Sequence, residues 1–391
     1  MQRITSNSAK ALLVTTFLTF APAAYAFDSS GNDLADALMA DLEATGATEV
    51  TIGSVSGGGN AEILDVSAKV TADGEAGMMT IARVAFEDGM VADGVIKADQ
   101  MTMEGLKIVA DDVTVTMGSM VANDVAFPTI EAIKAAGEDA LGSEVKYSRA
   151  EAKNLVIADN EIKRLPIESV TVEIGEYVGD IPKSFMLNVT GIGLTKEMLD
   201  AEGQKMFGML GYENVNLSVT MDGAWDDGAG IGEIKNLTLS ADDVGKLSMM
   251  ARIGGLTPDV IAQLKALENE KSPEKAMGLL QGLTVEGLSV RFDNDSVVER
   301  ALDAQAKQMG TDRDALAAQL AGALPLMLAA LQNPEFQQKV ATAAGTFLKE
   351  RKAIVATANP PAPVPVAQIV GTAMVAPQTI PNVLGVELSN D

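Results

Sequence analysis

The chain reads as an α+β protein: a twisted, mostly antiparallel β-sheet with C-terminal helices packed on its apolar face. Three observations predict it. Residues 48–127 follow a period of two, as half-buried strands do. Gly and acidic pairs recur between the apolar runs, at Asp73-Gly74, Asp88-Gly89, Asp93-Gly94 and Asp111-Asp112, and such spacing makes antiparallel meanders. One strand unit occurs twice, as residues 101–112 (MTMEGLKIVADD) and 283–294 (LTVEGLSVRFDN), with shorter echoes at 154–160 and 236–243. The unit is a half-buried strand that ends in an acidic turn, and both copies are expected as strands of one sheet, with Leu288, Val290 and Phe292 facing inward.

The N-terminal residues carry an export signal. Arg3 and Lys10 are a basic start, residues 11–21 an apolar run too short to span a bilayer, and Ala24-Tyr25-Ala26 a small-x-small cleavage site. The expected mature chain begins at Phe27 and has no stable membrane span after signal removal. Four segments follow: 1–26 signal peptide, 27–255 β-rich domain with short inserted helices, 256–352 helical region with one returning strand at 283–292, and 353–391 a proline-rich tail with a possible final strand.

Asn32 or Asp33 can cap a helix over 32–45, with Leu34, Leu38 and Leu42 at helical spacing over the sheet. Leu64, Val66, Ala68 and Val70 then alternate with Asp65, Ser67 and Lys69. Leu106, Ile108 and Ala110 alternate next, then Val113, Val115 and Met117. A helix is expected at 128–141, strands at 155–158 and 170–174, a helix at 195–209, and strands at 217–221, 237–241 and 247–253. Thr257-Pro258 and Ser272-Pro273 start helices. Asn294 or Asp295 caps a helix over 297–309, which Gly310 stops, and Thr311 opens the next with Asp314 at its third position. That helix runs into residues 320–331, interrupted by Pro325 and expected to be buried against the sheet. Asn333-Pro334 starts a last long helix. Residues 359–366 read as extended, and 383–388 as a final strand.

Composition narrows the function. The chain has 391 residues and no cysteine, so its core alone must hold it, which suits a bacterial periplasm. Its net charge is −25, which becomes −27 once Arg3 and Lys10 leave with the signal. Such a surface repels phosphate backbones, so no nucleic acid is expected as a partner. With no histidine or cysteine, the Ser-His and Cys-His nucleophilic systems and the usual zinc sites are absent. A glycosidase-like carboxylate pair remains chemically open, but aromatics are only 4%, too few for the walls of a sugar cleft. The expectation is therefore no enzyme, with no catalytic residue, cofactor-binding residue, metal ligand or cofactor assigned. Asp293, Asp295 and Glu299, and Asp226, Asp227 and Glu233, are acidic groups without the spacing of a calcium loop, and they read as a helix cap and a hairpin turn. The glycines at 228, 230 and 232 lack the strand–Gly–helix order of a dinucleotide site. The 20 methionines, with Met101, Met103, Met117, Met249 and Met250 in or beside strands, suit an irregular core first and an adaptable apolar binding surface second.

The strand arrays with Gly-Leu-x-apolar and Asp-Asp turns resemble AsmA-like and YdgA-like bacterial envelope proteins. Residues 283–310 and 365–388 are similar to uncharacterised periplasmic proteins of alphaproteobacteria. AsmA-like proteins are membrane-anchored and implicated in lipid movement along a β-groove. The resemblance therefore implies an envelope protein with a lipid or other apolar ligand, or an envelope protein partner. This chain is short and lacks the anchor in this reading, and no functional residue carries over. The expected function is a soluble, non-enzymatic periplasmic protein that binds a lipid or apolar ligand on its sheet. The alternative is a structural or interaction protein with a sealed core, and a carboxylate hydrolase comes third.

Overall fold

A computed structural model describes residues 27–391, except 45, 73–74, 93, 130–145, 160–162, 180 and 270–277. The export signal lies outside the described residues, as does residue 130 onward of the helix expected at 128–141. The fold is α+β, with long antiparallel strands and helices concentrated toward the C-terminus. The chain divides into two compact units, Met1–Ile174 with Val189–Gly193 and Gly175–Asn188 with Leu194–Asp391. The 255/256 boundary drawn from composition falls inside the second unit.

The first unit begins with the helix Asp33–Ala44. Asn32 caps it: its Oδ1 accepts from the backbone N–H of Leu34 at 3.0 Å and of Ala35 at 3.1 Å. Nine strands follow: β1 (Thr48–Thr51), β2 (Ser54–Ser56), β3 (Glu62–Ala72), β4 (Glu75–Glu87), β5 (Met90–Ala92), β6 (Val95–Ala110), β7 (Val113–Pro128), β8 (Arg149–Ala158) and β9 (Leu165–Ile174). β3, β4, β6, β7, β8 and β9 form an antiparallel meander, β1 and β2 lie along β3, and β5 folds back on β6. Asp88-Gly89 separates β4 from β5 and Asp111-Asp112 joins β6 to β7, where the turn chemistry put them. Every residue from Leu34 to Ala40 is buried, so the helix is enclosed well beyond one amphipathic face. Leu34, Leu38 and Met39 pack with Ile63, Val66, Ile81, Val84, Phe86, Ile96, Val125 and Phe127 in one core.

A crease crosses these strands. Asp65 on β3, Gly105 on β6 and Asn154 on β8 all have left-handed backbone, at φ 53°, 67° and 55°. The pairing runs in step on both sides of each, as Leu64 with Arg83 and Val66 with Ile81 show. The extra turn of backbone shifts which residues face inward without shifting register. Ile63 and then Val66 are buried on β3, and Ile81 and then Val84 on β4, each pair three residues apart rather than two. This corrects the alternation read from sequence: Ile63 is fully buried and Leu64 is not. Gly105 is required twice over, by its φ and because a Cβ would come within 2.9 Å of the Ala82 Cβ.

The second unit opens with a small hairpin, β10 (Tyr177–Val178) and β11 (Ile181–Pro182), and the ends of β12 (Ser184–Thr195), whose middle belongs to the first unit. Its sheet is the antiparallel run β13 (Asn214–Asp226), β14 (Ile231–Ala241), β15 (Gly245–Gly254) and β16 (Thr284–Asn294). β16, the second copy of the repeated unit, pairs on its other side with β17 (Ala353–Ala358) and β18 (Val364–Pro365), and β17 pairs with β19 (Val386–Ser389). Between strands lie the helices Ala201–Leu210, Pro258–Asn269, Val297–Met309, Arg313–Met327 and Pro334–Glu350.

Local chemistry shifts several helix ends from the sequence reading. Asp200 caps the first of these helices by accepting from the Gly203 N–H at 2.8 Å, so it starts later than the 195 expected. Asp312, not Thr311, caps the helix Arg313–Met327, accepting from the Ala315 N–H at 2.9 Å. Gly310, at φ 67°, ends the helix before it, and Asn333 caps the helix Pro334–Glu350 with its proline in the first turn. Residues 359–365 are free of helix and end in β18, as expected of an extended stretch, while β17 before them and the helix Val366–Val375 after them were not anticipated.

Candidate apolar surface of the second unit

Cross-strand register sorts the second sheet into two chemically different faces. Val219, Leu239, Leu247, Phe292 and Ile354 stand in one row, each opposite the next. Met221, Leu237, Met249, Val290 and Ala356 make the next row on the same side. The residues between them alternate to the other face. Thr220, Thr238 and Ser248 lie there with Arg291 and Asp293.

The polar face satisfies itself. Thr238 Oγ1 and Ser248 Oγ are 3.0 Å apart, Thr220 Oγ1 donates to Asn188 Oδ1 at 3.1 Å, and Arg291 makes a forked ion pair with Asp293. That pairing holds the Asp293 carboxyl below its ordinary range, chiefly through the Arg291 hydrogen bond.

The apolar face is covered only in part. The helix Pro334–Glu350 lies against β17 and β19, and its Phe347 ring meets Phe292 edge-on at 6.0 Å. Away from that contact, Leu239 keeps 45% of its surface exposed, Leu247 38% and Leu288 39%. Leu288, Val290 and Phe292 share the apolar face, but Leu288 is not enclosed. Among the described residues, the second unit's helices bury one small cluster of their own, Leu302, Ala306, Leu316 and Ala317, with Val298 and Leu320 beside it.

Residues 320–331, expected under the sheet, are a correction. The segment Arg313–Leu331 is long and apolar enough to cross a membrane by length and composition, and little of it is buried. Leu316 and Ala317 pack into the small cluster, whereas Leu326 is 82% exposed. The reason is reach: the sheet's neighbour is the helix Pro334–Glu350, and the Arg313–Met327 helix packs on that helix instead.

The strand methionines divide. Met117 is buried in the first unit, and Met101 and Met103 pack against its core. Met249 lies on the open apolar face, as does Met221, which pattern reading did not single out. Met250 alternates to the polar face and is exposed.

Five of the six acidic groups singled out in the sequence, Asp226, Asp227, Glu233, Asp293 and Glu299, meet protein partners. Asp226 Oδ1 accepts from the N–H groups of Gly228 and Ala229 in the β13–β14 turn, and Lys183 Nζ is 2.9 Å from Asp227. Glu233 faces Arg252 at 4.0 Å. Glu299 Oε2 accepts from Asn294 Nδ2 at 2.7 Å and Glu299 also faces Arg351. The glycines at 228, 230 and 232 belong to that same turn and to the start of β14.

Residues 238–391 match a family model described as "Uncharacterized protein". The match starts within β14 and runs to the C-terminus, so it includes Leu239, Leu247 and Leu288 but not Leu237 or β13. No curated protein matches the chain.

Proposed function

We propose that this is a non-enzymatic protein of the bacterial periplasm that holds a lipid acyl chain, or another apolar ligand of that shape, on the apolar face of the second unit's sheet. The observation that carries this reading is the pair Leu239 and Leu247 with the nearby Leu288, left open on the apolar face of a sheet whose other face carries Thr220, Thr238, Ser248, Arg291 and Asp293. Fully burying a leucine is worth roughly 1.5–3 kcal/mol, so such a row left in water favours any apolar partner that covers it. The resemblance of the strand arrays to AsmA-like proteins supports the same class of ligand, and the export signal supports the compartment. The pairing of Asp227, Glu233, Asp293 and Glu299 with Lys and Arg supports a binding role over carboxylate chemistry.

The test is the lipid content of protein purified from its native envelope, read by mass spectrometry of organic extracts. Wild type should carry lipid, and Leu239→Asp with Leu247→Asp should lose it while keeping its thermal midpoint. Wild type free of any apolar molecule would favour an interaction protein without a small ligand.

A further inference from the structure

A different part of the second unit is more exposed than the sheet face. The helix Val366–Val375 is uncharged and strongly apolar, yet none of its residues is buried. Met374 is 81% exposed and Val375 86%. The end of the Arg313–Leu331 segment behaves alike, with Leu326, Met327 and Leu331 all exposed. Asn333 ties the two together: its Nδ2 donates to Gln378 O at 2.9 Å and to Asn382 Oδ1 at 2.8 Å. Leu331 lies two residues before that junction on one segment and Val375 three residues before it on the other. Asn333 therefore links the C-terminal ends of the two exposed segments, and this linked pair of ends is the tip.

Charge identifies what the tip fits. Charged residues are 21% of the chain, yet residues 315–334 and 353–386 contain none. The first charges behind the tip, Glu335, Lys339 and Glu387, are paired with one another, Lys339 Nζ lying 3.3 Å and 2.8 Å from the two carboxylates. The whole net charge of −25 lies elsewhere on the molecule. A protein partner is ordinarily met by an apolar centre with a polar, charge-bearing rim that fixes register. A hydrocarbon layer needs no such rim and penalises each charge brought to it. We infer that this tip inserts into the interfacial layer of a lipid bilayer of low surface charge, with Leu326, Met327, Met374 and Val375 as its anchors. The inference does not require the sheet face to hold lipid. The acidic remainder makes anionic bilayers the poorer target at low salt, because like charges repel across about a Debye length.

Vesicle flotation of the full mature chain tests it. Phosphatidylcholine vesicles should carry wild type upward. Leu326→Asp with Met374→Asp should lower the bound fraction about tenfold with no shift in thermal midpoint, since both side chains are already in water. Binding to vesicles rich in phosphatidylglycerol should be weaker at low salt and recover as salt rises. The chain has no cysteine, so Met374→Cys takes a single environment-sensitive fluorophore. Its emission should shift to the blue on adding phosphatidylcholine vesicles and be quenched by brominated acyl chains. The Leu239→Asp, Leu247→Asp protein should still float, which separates this inference from the ligand reading. Wild type that stays at the bottom of the gradient overturns the inference, as does a tip variant that floats as well as wild type. A dimer in solution that the tip variant dissociates would also overturn it, by assigning the tip to a second copy of the chain.

Discussion

The same strand unit is used in two ways. In the first unit, MTMEGLKIVADD sits in β6 within a core of some two dozen buried side chains around an enclosed helix. In the second, LTVEGLSVRFDN sits in β16, and the buried cluster found there belongs to the helices alone. The difference lies in what covers the apolar side, not in the strands. Helix Asp33–Ala44 is short, rich in Ala and Leu, and fits inside the first sheet. Among the second unit's longer helices, Arg313–Met327 packs mainly on Pro334–Glu350, and Pro334–Glu350 lies against β17 and β19 at the sheet's end. The first unit teaches how this chain stores stability, and the second where it leaves apolar surface for something else.

The widest test of that contrast is truncation. Phe86→Ala in the first core should cost about 3–5 kcal/mol, seen as a lower midpoint in urea unfolding, because Phe86 is almost fully buried against Phe127. Leu239→Ala in the second sheet should cost under about 1 kcal/mol. Equal losses at the two positions would mean that the second face is covered in solution.

The two copies of the repeated glycine sharpen the comparison. Gly105→Ala forces a left-handed residue and a Cβ clash with Ala82, and should destabilise by about 1–3 kcal/mol. Gly287 is not in the left-handed region, and its nearest neighbour to a new Cβ is Ala358 O at 3.9 Å, so Gly287→Ala should lie within about 0.5 kcal/mol of wild type. Paired thermal melts decide it. Similar large losses at both would show that the repeat carries the same strain in both settings.

The smallest effect is pH-dependent. Burial of Asp41 on the enclosed helix pushes its carboxyl up from 3.8 to about 6. The protonated form is the one the fold prefers. Its contribution is therefore full below pH 3.8 and is lost as pH rises toward 6, flat beyond. Asp41 keeps some contact with solvent, so Asp41→Asn should gain about 1 kcal/mol at pH 7 and nothing at pH 3.5. A gain that is independent of pH would assign the effect to helix propensity instead.

Much of this molecule was legible in the order of its residues. Period-two apolar runs and acidic turns fix strands, since alternation and turn chemistry are local. The Asn32 cap, the Asn333-Pro334 start and the Gly310 stop needed only neighbouring backbone groups. The crease was hidden: nothing in the pattern distinguishes Leu64 from Ile63 until Asp65 is found left-handed, and that is settled by the strands beside it. The helix Val366–Val375 was missed because proline before it suggested extended chain, and β17 because a short apolar run after a helix has no period of its own. The open surface was least legible of all. A leucine that alternates inward looks the same in sequence whether a helix or water lies above it. Val66 and Leu239 carry the same kind of local signal, and only the tertiary structure decides that the first is sealed and the second is not, because covering a face depends on how far a distant helix can reach.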